Sequence, residues 1–430
     1  TDPVWRGTMI HIAIAVGIIT LFISVPIFLV FGLSGSLVVV NALNLPWSVL
    51  TQVTFDSISK YILLAIPLFI FSGMIMVEGG MARRLVDVFT NAVGHWRGGL
   101  GIAMVLTMGF FGALCGSILA AIVAVGTIMV PVMVEKGYPR AFVAALAACS
   151  GFLDALIPPS NGAIIYCAIT GENVAAAFAA GVVPGFVFGG LLILVVLWKC
   201  RHMEKTPRAG WRKFIQSVGS AWAALMTPVI ILGGIYSGLL TPTESAAVAG
   251  IWAIVVGFGI YRELNFTGLW SALKATAITT SMIFAIIAMA SFLSIALTYT
   301  RFPHKLIEAV IGLGVTPVLF MMACAVIVLI LGTFIEVVPI MYLTLPIFAP
   351  IAMALKIDLL HLMIVFTAFV GLGLLTPPVC VGAYTAAAIA EEASHRVIRA
   401  IFPLFFLVGI VYGLIIIFFP DLATWLPSHV

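Results

Sequence analysis

Apolar residues run through this chain in long blocks, separated by short breaks rich in glycine, proline or charge. A block of about 20 apolar residues is what an α-helix needs to cross the hydrocarbon core of a bilayer. The pattern predicts a first span over residues 9–31, with Pro26 near its end. Gly32-Leu33-Ser34-Gly35-Ser36 then loosens the helix before a second apolar piece that reaches Leu45. Residues 46–60 are mixed and read as interfacial. Residues 61–77 form the next span, kinked at Pro67 and broken by Glu78-Gly79-Gly80. Residues 82–97 are amphipathic, with Arg83, Arg84, His95 and Arg97 off the apolar face, and read as an interfacial helix carrying solvated charge. Residues 100–134 are too long for one span. A hairpin is expected over 139–170, inward over 140–157 and outward over 160–170, then a span over 174–198 containing Pro184. Spans over 221–240 and 245–261 follow. Between them Thr241-Pro242-Thr243-Glu244 has the pattern of a capping box with Pro at the first helical position. Residues 266–277 look amphipathic. Further spans are expected over 279–297, 315–333 and 337–355, then a second hairpin over 359–390, a polar stretch over 391–399 and a last span over 400–419.

The chain is organised around Cys149-Ser150-Gly151-Phe152-Leu153-Asp154-Ala155-Leu156-Ile157-Pro158-Pro159-Ser160-Asn161-Gly162, where polar groups and a double proline sit inside apolar sequence. Pro158 and Pro159 cannot continue a helix. A break at membrane depth is tolerated only where protein or a wet cavity receives the freed backbone groups. Two readings stand: a hairpin tip that binds ions or solute, and a proline-kinked span packed by its neighbours. A second double proline, Pro377-Pro378, lies 219 residues after the first. The same interval joins Ser72 to Ser291, Pro131 to Pro350, Pro184 to Pro403 and Gly190 to Gly409. Register kept over that length implies an internal repeat. Paired interrupted segments in two membrane repeats point to a secondary-transporter site. The densest basic run, Lys199 to Arg208 with Arg212 and Lys213, is expected in the cytoplasm. Its counterpart from Phe418 to Trp425 has no Lys or Arg, as expected if the two copies are inverted across the membrane.

Composition agrees: the 430 residues are 63% hydrophobic and 8% charged, too apolar for a soluble domain. The net charge of +4 leaves no basic face for nucleic acid. The six cysteines are scattered without metal or redox spacing and read as buried thiols. Thr1-Asp2-Pro3 opens without Met, as a trimmed or processed end would, and no signal peptide is evident. There is no phosphate-binding Gly-x-x-x-x-Gly-Lys-Ser/Thr loop, and so no ATP site of that kind; nor is there a His-Glu-x-x-His or Gly-x-Ser-x-Gly motif. No enzyme is expected.

An ionisable group inside a membrane segment is a candidate site by default. Asp154 and Glu336 are the clear cases; their counterparts at the 219-residue interval are Gly373 and Ser117. Asp154 is either a ligand or a carboxylate satisfied by local amides, and Glu336 either a site residue or interfacial. Gly109, Gly112 and Gly116 have small-residue spacing that permits close helix approach. Arg301 reads either as a snorkelling anchor or as an anion clamp. Carbonyls exposed where helices end at Ile157-Pro158 and Thr376-Pro377 suit a hard cation such as Na⁺, and the amides after the prolines suit an anion. The residues proposed for solute are Ser160, Asn161, Arg301, Thr376 and Gly382.

Phe111-Gly112-Ala113-Leu114-Cys115-Gly116-Ser117, then Pro131-Val132-Met133 with Gly137-Tyr138, resembles the large membrane (M) subunit of tripartite ATP-independent periplasmic (TRAP) transporters. So do Ile157-Pro158-Pro159-Ser160, Ala180-Gly181-Val182-Val183-Pro184-Gly185, Thr241-Pro242-Thr243-Glu244 and Leu375-Thr376-Pro377-Pro378-Val379. The similarity covers nearly the whole chain in order. It implies an all-α polytopic inner-membrane protein of two inverted repeats, each with a re-entrant hairpin, working as an elevator. It also implies Na⁺-driven import of a small organic anion without ATP. A periplasmic (P-type) binding protein would deliver the solute, and a small (Q-type) membrane subunit would pack alongside. Carried onto this chain, the family's Na⁺ positions fall near Gly112, Asp154 and Ile157 in one copy, and Gly332, Gly373, Thr376 and Val379 in the other; Ser117, which would face the first hairpin, is added as a cation candidate from its place in the chain. Asp154 departs from the small uncharged residue expected there, and Asn161 from an apolar one. A carboxylate is the expected solute, with sulfonate or sugar acid open; a stand-alone Na⁺ symporter and a non-transporting scaffold are the rivals. The expected division is 1–60, 61–200, 201–278, 279–420 and 421–430.

Overall fold

The computed structural model describes residues 3–23, 25–203 and 210–429, and among these it is helical, with no strand. Part of the basic run, residues 204–209, lies outside the described residues. The first helices are α1 (Pro3–Phe22), α2 (Ile27–Ser36), α3 (Trp47–Ile58), α4 (Ala65–Glu78) and α5 (Met81–Val93). The early break falls before Pro26, which caps α2, and not at the glycine–serine run, which stays helical. The reason is packing. A Cβ on Gly35 would stand 2.6 Å from Phe292 Cβ and one on Gly32 2.8 Å from Met289 Sδ, so these glycines let another helix lie close. Pro67 does not kink its span; it sits in the first turn of α4, just after a 3₁₀ turn over Tyr61–Leu64. On α5 the expectation of solvated charge fails for Arg84. Its guanidinium pairs with Glu263 at 2.7 Å and lies 3.7 Å over the Tyr261 ring.

Next come α6 (Gly99–Cys115), α7 (Ile118–Glu135), α8 (Arg140–Gly151), α9 (Leu153–Leu156), α10 (Asn161–Thr170) and α11 (Val174–Lys199). Here the expected hairpin is displaced. The Tyr138 hydroxyl, just past the end of α7, lies at the Leu100 backbone near the start of α6, so α6 and α7 go in and come back. Gly98 sits against Val196 and Cys200 at the end of α11, on that same face. α11 is a full crossing, so its start, and the end of α10 beside it, lie on the opposite face. The segment 139–170 therefore crosses: its halves differ in direction by 41°, not by a reversal. At 1.5 Å per residue α8 and α10 are roughly 18 and 15 Å long, each about half of a 30 Å core. Two prolines interrupt a helix without turning it round. The reversal occurs at Gly116, whose φ of +60° is open to glycine at little cost.

The remaining helices are α12 (Trp211–Tyr236), α13 (Pro242–Val255), α14 (Phe266–Tyr299), α15 (Phe302–Gly312), α16 (Pro317–Gly332), α17 (Val337–Ala354), α18 (Leu359–Leu374), α19 (Val381–Ile389), α20 (Ser394–Leu404), α21 (Val411–Phe418) and α22 (Asp421–Thr424). The capping box at Thr241 and Glu244 forms as expected, with Pro242 at the first helical position. α14 is one unbroken helix of 34 residues, so the expected boundary between 278 and 279 falls in its middle. The last span begins earlier than expected, at Ser394.

The second half repeats the correction. Phe320 on α16 and Phe348 on α17 meet edge to face at 6.2 Å, at matching distances from the turn between them, so these two helices are the hairpin. The segment 359–390 crosses instead. Tyr166 near the end of α10 donates to the Leu359 carbonyl at 2.6 Å, and Arg140 at the start of α8 donates to the Ala390 carbonyl at 3.2 Å. The two broken crossings therefore run antiparallel, each beginning where the other ends. The face that holds Arg97, Lys136, Arg140, Lys199 and Arg201 is the strongly basic one, which places it in the cytoplasm.

The helices can be divided into two groups that also pack on each other. In one, α14 lies on α2, α3 and α4, α13 on α4, and α12 on α5; in the other, α6 to α11 pack with α16 to α22; α5 lies on α6, α14 on α17, and α15 touches both α14 and α17. Single cysteines at Lys136→Cys and Glu172→Cys should react with a membrane-impermeant thiol reagent from opposite faces of sealed vesicles. Labelling from one face would restore the hairpin assignment to 139–170.

Candidate functional site

Each hairpin tip docks on the break of the crossing in its own half. In the first half α6 ends at Cys115, and Gly116-Ser117 turns the chain into α7, with Ser117 as the N-cap residue. A Cβ on Gly112 would stand 2.7 Å from Asp154 Cα, so the hairpin backbone lies directly on the break. Asn161 Nδ2 donates to the Gly116 carbonyl at 2.7 Å. The Asp154 carboxylate faces the backbone N–H groups of Ser117 and Gly116. Asp154, Ser160 and Asn161 are all buried, and Pro158 and Pro159 with them. Asp154 Oδ1 and Asn161 Oδ1 are buried without a hydrogen-bond partner. Two unpartnered acceptor oxygens at one turn are what a cation would satisfy.

The second half makes the same junction with smaller parts. Gly332 at the end of α16 faces Gly373: a Cβ on Gly373 would stand 2.7 Å from Gly332 Cα. Val379 N–H donates to the Thr333 carbonyl at 3.1 Å, tying tip to break through the backbone alone. Thr376 gives its hydroxyl to the Leu372 carbonyl at 2.9 Å, leaving its oxygen lone pairs for other partners. Glu336 is the N-cap residue of α17, as Ser117 is of α7, so the two counterparts share one structural place. Pro377, Pro378 and Val379 are exposed, whereas the first break is sealed. Both Pro-Pro bonds are cis.

The two breaks also touch each other. A Cβ on Gly371 would fall inside the Phe152 ring, so the antiparallel crossings pass at that point with the Phe152 ring laid against the bare glycine backbone. Phe152 is held by Phe188 at 5.1 Å, which stacks in turn on Tyr412 at 5.1 Å. Gly382, on the first turn of α19, is buried against Ile122 of α7.

The structure thus brings together Gly112, Ser117, Asp154 and Asn161 at one tip, and Gly332, Gly373, Thr376 and Val379 at the other. Ile157 packs its side chain beside Gly109 and Gly185. Ser160 is the N-cap residue of α10 and makes no side-chain cap bond. Arg301 is exposed at φ +52° between α14 and α15, and α15 packs on α17 of the second hairpin. The expectation did not foresee Asn161 as the staple that holds the first hairpin tip, nor Phe152 and Gly371 as the crossing point. The signal for the staple was present as an amide immediately after Pro158-Pro159-Ser160, in otherwise apolar sequence.

Residues 13–422 match the family described as tripartite ATP-independent periplasmic transporter, DctM component. The chain is 39% identical over 402 residues to the C4-dicarboxylate TRAP transporter large permease protein DctM of Pseudomonas aeruginosa, covering 92% of this chain and 93% of that one. It is 32% identical to the isethionate TRAP transporter permease protein DctMQ of Oleidesulfovibrio alaskensis, covering 89% of this chain but 61% of that longer relative. The fold is similar to that of the Alcanivorax borkumensis YdaH transporter, with a TM-score of 0.61 at 16% identity over 88% of this chain and 89% of that chain. Replacing Asn161 by Ala removes the donor from the Gly116 carbonyl and should cost about 1–3 kcal/mol. Hydrogen exchange of the amides around Gly116 should quicken; unchanged protection would show that the amide does not hold the tip.

Proposed function

As a member of the DctM-component family, and so a multi-pass inner-membrane permease and not an enzyme, the chain is one that we propose carries a small organic anion, a carboxylate, together with Na⁺. The observation that supports this is the double junction: each hairpin tip seats on a proline break, and the two breaks abut. Carbonyls freed at the breaks and the unpartnered oxygens of Asp154 and Asn161 suit Na⁺, which prefers oxygen ligands. The first turns of α10 and α19 begin right after the breaks and turn their free N–H groups toward the same region, which suits a carboxylate. Gly112, Ser117, Asp154 and Ile157 would serve the first cation, and Gly332, Gly373, Thr376 and Val379 the second. Ser160, Asn161, Thr376 and Gly382 would meet the solute, and Arg301 takes no part at the breaks.

The geometry supports a route to coupling. A cation that bridges tip and break fixes both, and the fixed break presents its amides to the anion. The group α6–α11 with α16–α22 would then move as one body against the other group, as an elevator. A periplasmic binding protein would deliver the solute and a small membrane subunit would support the fixed group; the length of the DctMQ relative favours such a second part. The solutes named for these two relatives, a C4-dicarboxylate and isethionate, each carry at least one anionic group on a small body.

Proteoliposomes holding this chain with its small subunit and binding protein should accumulate a C4-dicarboxylate under an inward Na⁺ gradient and not under choline. Gly373→Ala, which would push Gly332 away, should reduce that uptake at least about ten-fold, the equivalent of 1.4 kcal/mol. It should also abolish the rise in Tm that NaCl produces. Equal uptake with and without Na⁺ would reject the coupling.

A further inference from the structure

The boundary between the two helix groups is mostly apolar: Gly73 of α4 lies on Cys115 of α6, and α14 lies along α17. Among the described residues, the charged side chain of Lys60 reaches across it. Lys60 ends the connection from α3 to α4, and its Nζ donates to the Ala168 carbonyl of α10 at 2.5 Å. The backbone of Lys60 is fixed, because its carbonyl accepts from Leu63 N–H at 3.0 Å in the turn that opens α4. The carbonyl it meets is one that the helix leaves over. Gly171, at φ +83°, ends α10, and its N–H returns to the Cys167 carbonyl at 2.8 Å. Ala168 therefore lacks the amide that a further turn would supply, and an ammonium group at a helix C-terminus also meets the negative end of its dipole.

The repeat shows that this arrangement belongs to one half only. The counterpart of Ala168 is Ala387, whose carbonyl accepts from Glu392 N–H at 3.0 Å, within its own chain segment. The end of α19 is further held by Arg140, which belongs to the same helix group. The counterpart of Lys60 is Thr279, inside α14, which carries no charge. One end of one broken crossing is thus tied to the other group, and the matching end is not.

We infer that Lys60 is a conformational latch: its ammonium caps the α10 C-terminus from across the boundary and biases the protein toward the arrangement seen here. This rests on the reading that the two groups move against each other. Sliding α10 past Lys60 removes the acceptor and returns the ammonium to water, so the opposite state gains nothing equivalent. A permease built from two similar halves thereby acquires unequal end states. Lys60 acts on the resting balance of states, without touching solute or cation.

The test uses the full chain in nanodiscs with spin labels at Gln52→Cys on α3 and Glu172→Cys after α10; the native cysteines of the described residues are buried. Pulsed electron paramagnetic resonance reads the distance distribution in NaCl and in choline chloride, without solute. In the labelled parent one distance should dominate. Lys60→Gln should shift the ratio toward a second distance about two- to five-fold, the size of a charge at a helix terminus. Lys60→Arg, which keeps the charge and donors, should restore the parent ratio. Two distances whose ratio is the same in parent and Lys60→Gln would overturn the latch. A single distance in every sample would overturn the two-group motion itself, and the latch with it.

Discussion

A backbone N–H or carbonyl left bare in the bilayer interior costs several kcal/mol, and this chain breaks two crossings there. The arrangement around the breaks follows from that constraint. A hairpin enters from each face and stops at mid-depth because its tip supplies partners for the break. At the first junction the partners are the Asn161 amide and the backbone N–H groups of Gly116 and Ser117. At the second they are the Val379 amide and the Thr333 carbonyl. Such close approach requires that no side chain intervene, which is why Gly112, Gly332, Gly371 and Gly373 stand at the contacts.

The two halves share this plan but not its chemistry. Where the first junction has Asp154 the second has Gly373, and where the first has Ser117 the second has Glu336. One break is sealed by neighbouring helices; the other leaves Pro377, Pro378 and Val379 exposed. A buried carboxylate without a charged partner is costly unless something positive joins it. The first junction is therefore the one with the stronger demand for a cation, and the exposed second junction is the one open to exchange. Similar backbones thus carry unequal side chains at the two junctions.

The division into two helix groups has a physical basis in the side chains between them. Within each group glycines and small residues bring helices into close contact, as Gly35 does for α2 and α14. Across the boundary Gly73 of α4 likewise lies close on Cys115 of α6, and the polar tie is the Lys60 ammonium on the Ala168 carbonyl. The Arg84–Glu263 pair with Tyr261 stiffens the cytoplasmic side of the group that holds α5 and α12 to α14. Tyr166 and Arg140 bind the two broken crossings to each other at opposite ends, so the other group stays together as one body.

Much of this was legible in the sequence, because hydrophobic spacing and chain-breaking residues act locally. The apolar blocks, the Thr241–Glu244 cap, the 219-residue repeat and the two proline breaks needed nothing beyond neighbouring residues. So did the basic run that sets the cytoplasmic face. Which segments return and which cross was not legible, since a double proline interrupts a helix equally well in either case. That choice was made at Gly116, by a left-handed turn and by Tyr138 reaching Leu100 from 38 positions away in the chain. Likewise Gly32 to Ser36 kept its helix because Met289 and Phe292 pack on it, and α14 runs unbroken past the expected boundary. Local chemistry decided where the chain breaks; contacts between distant residues decided what each break faces.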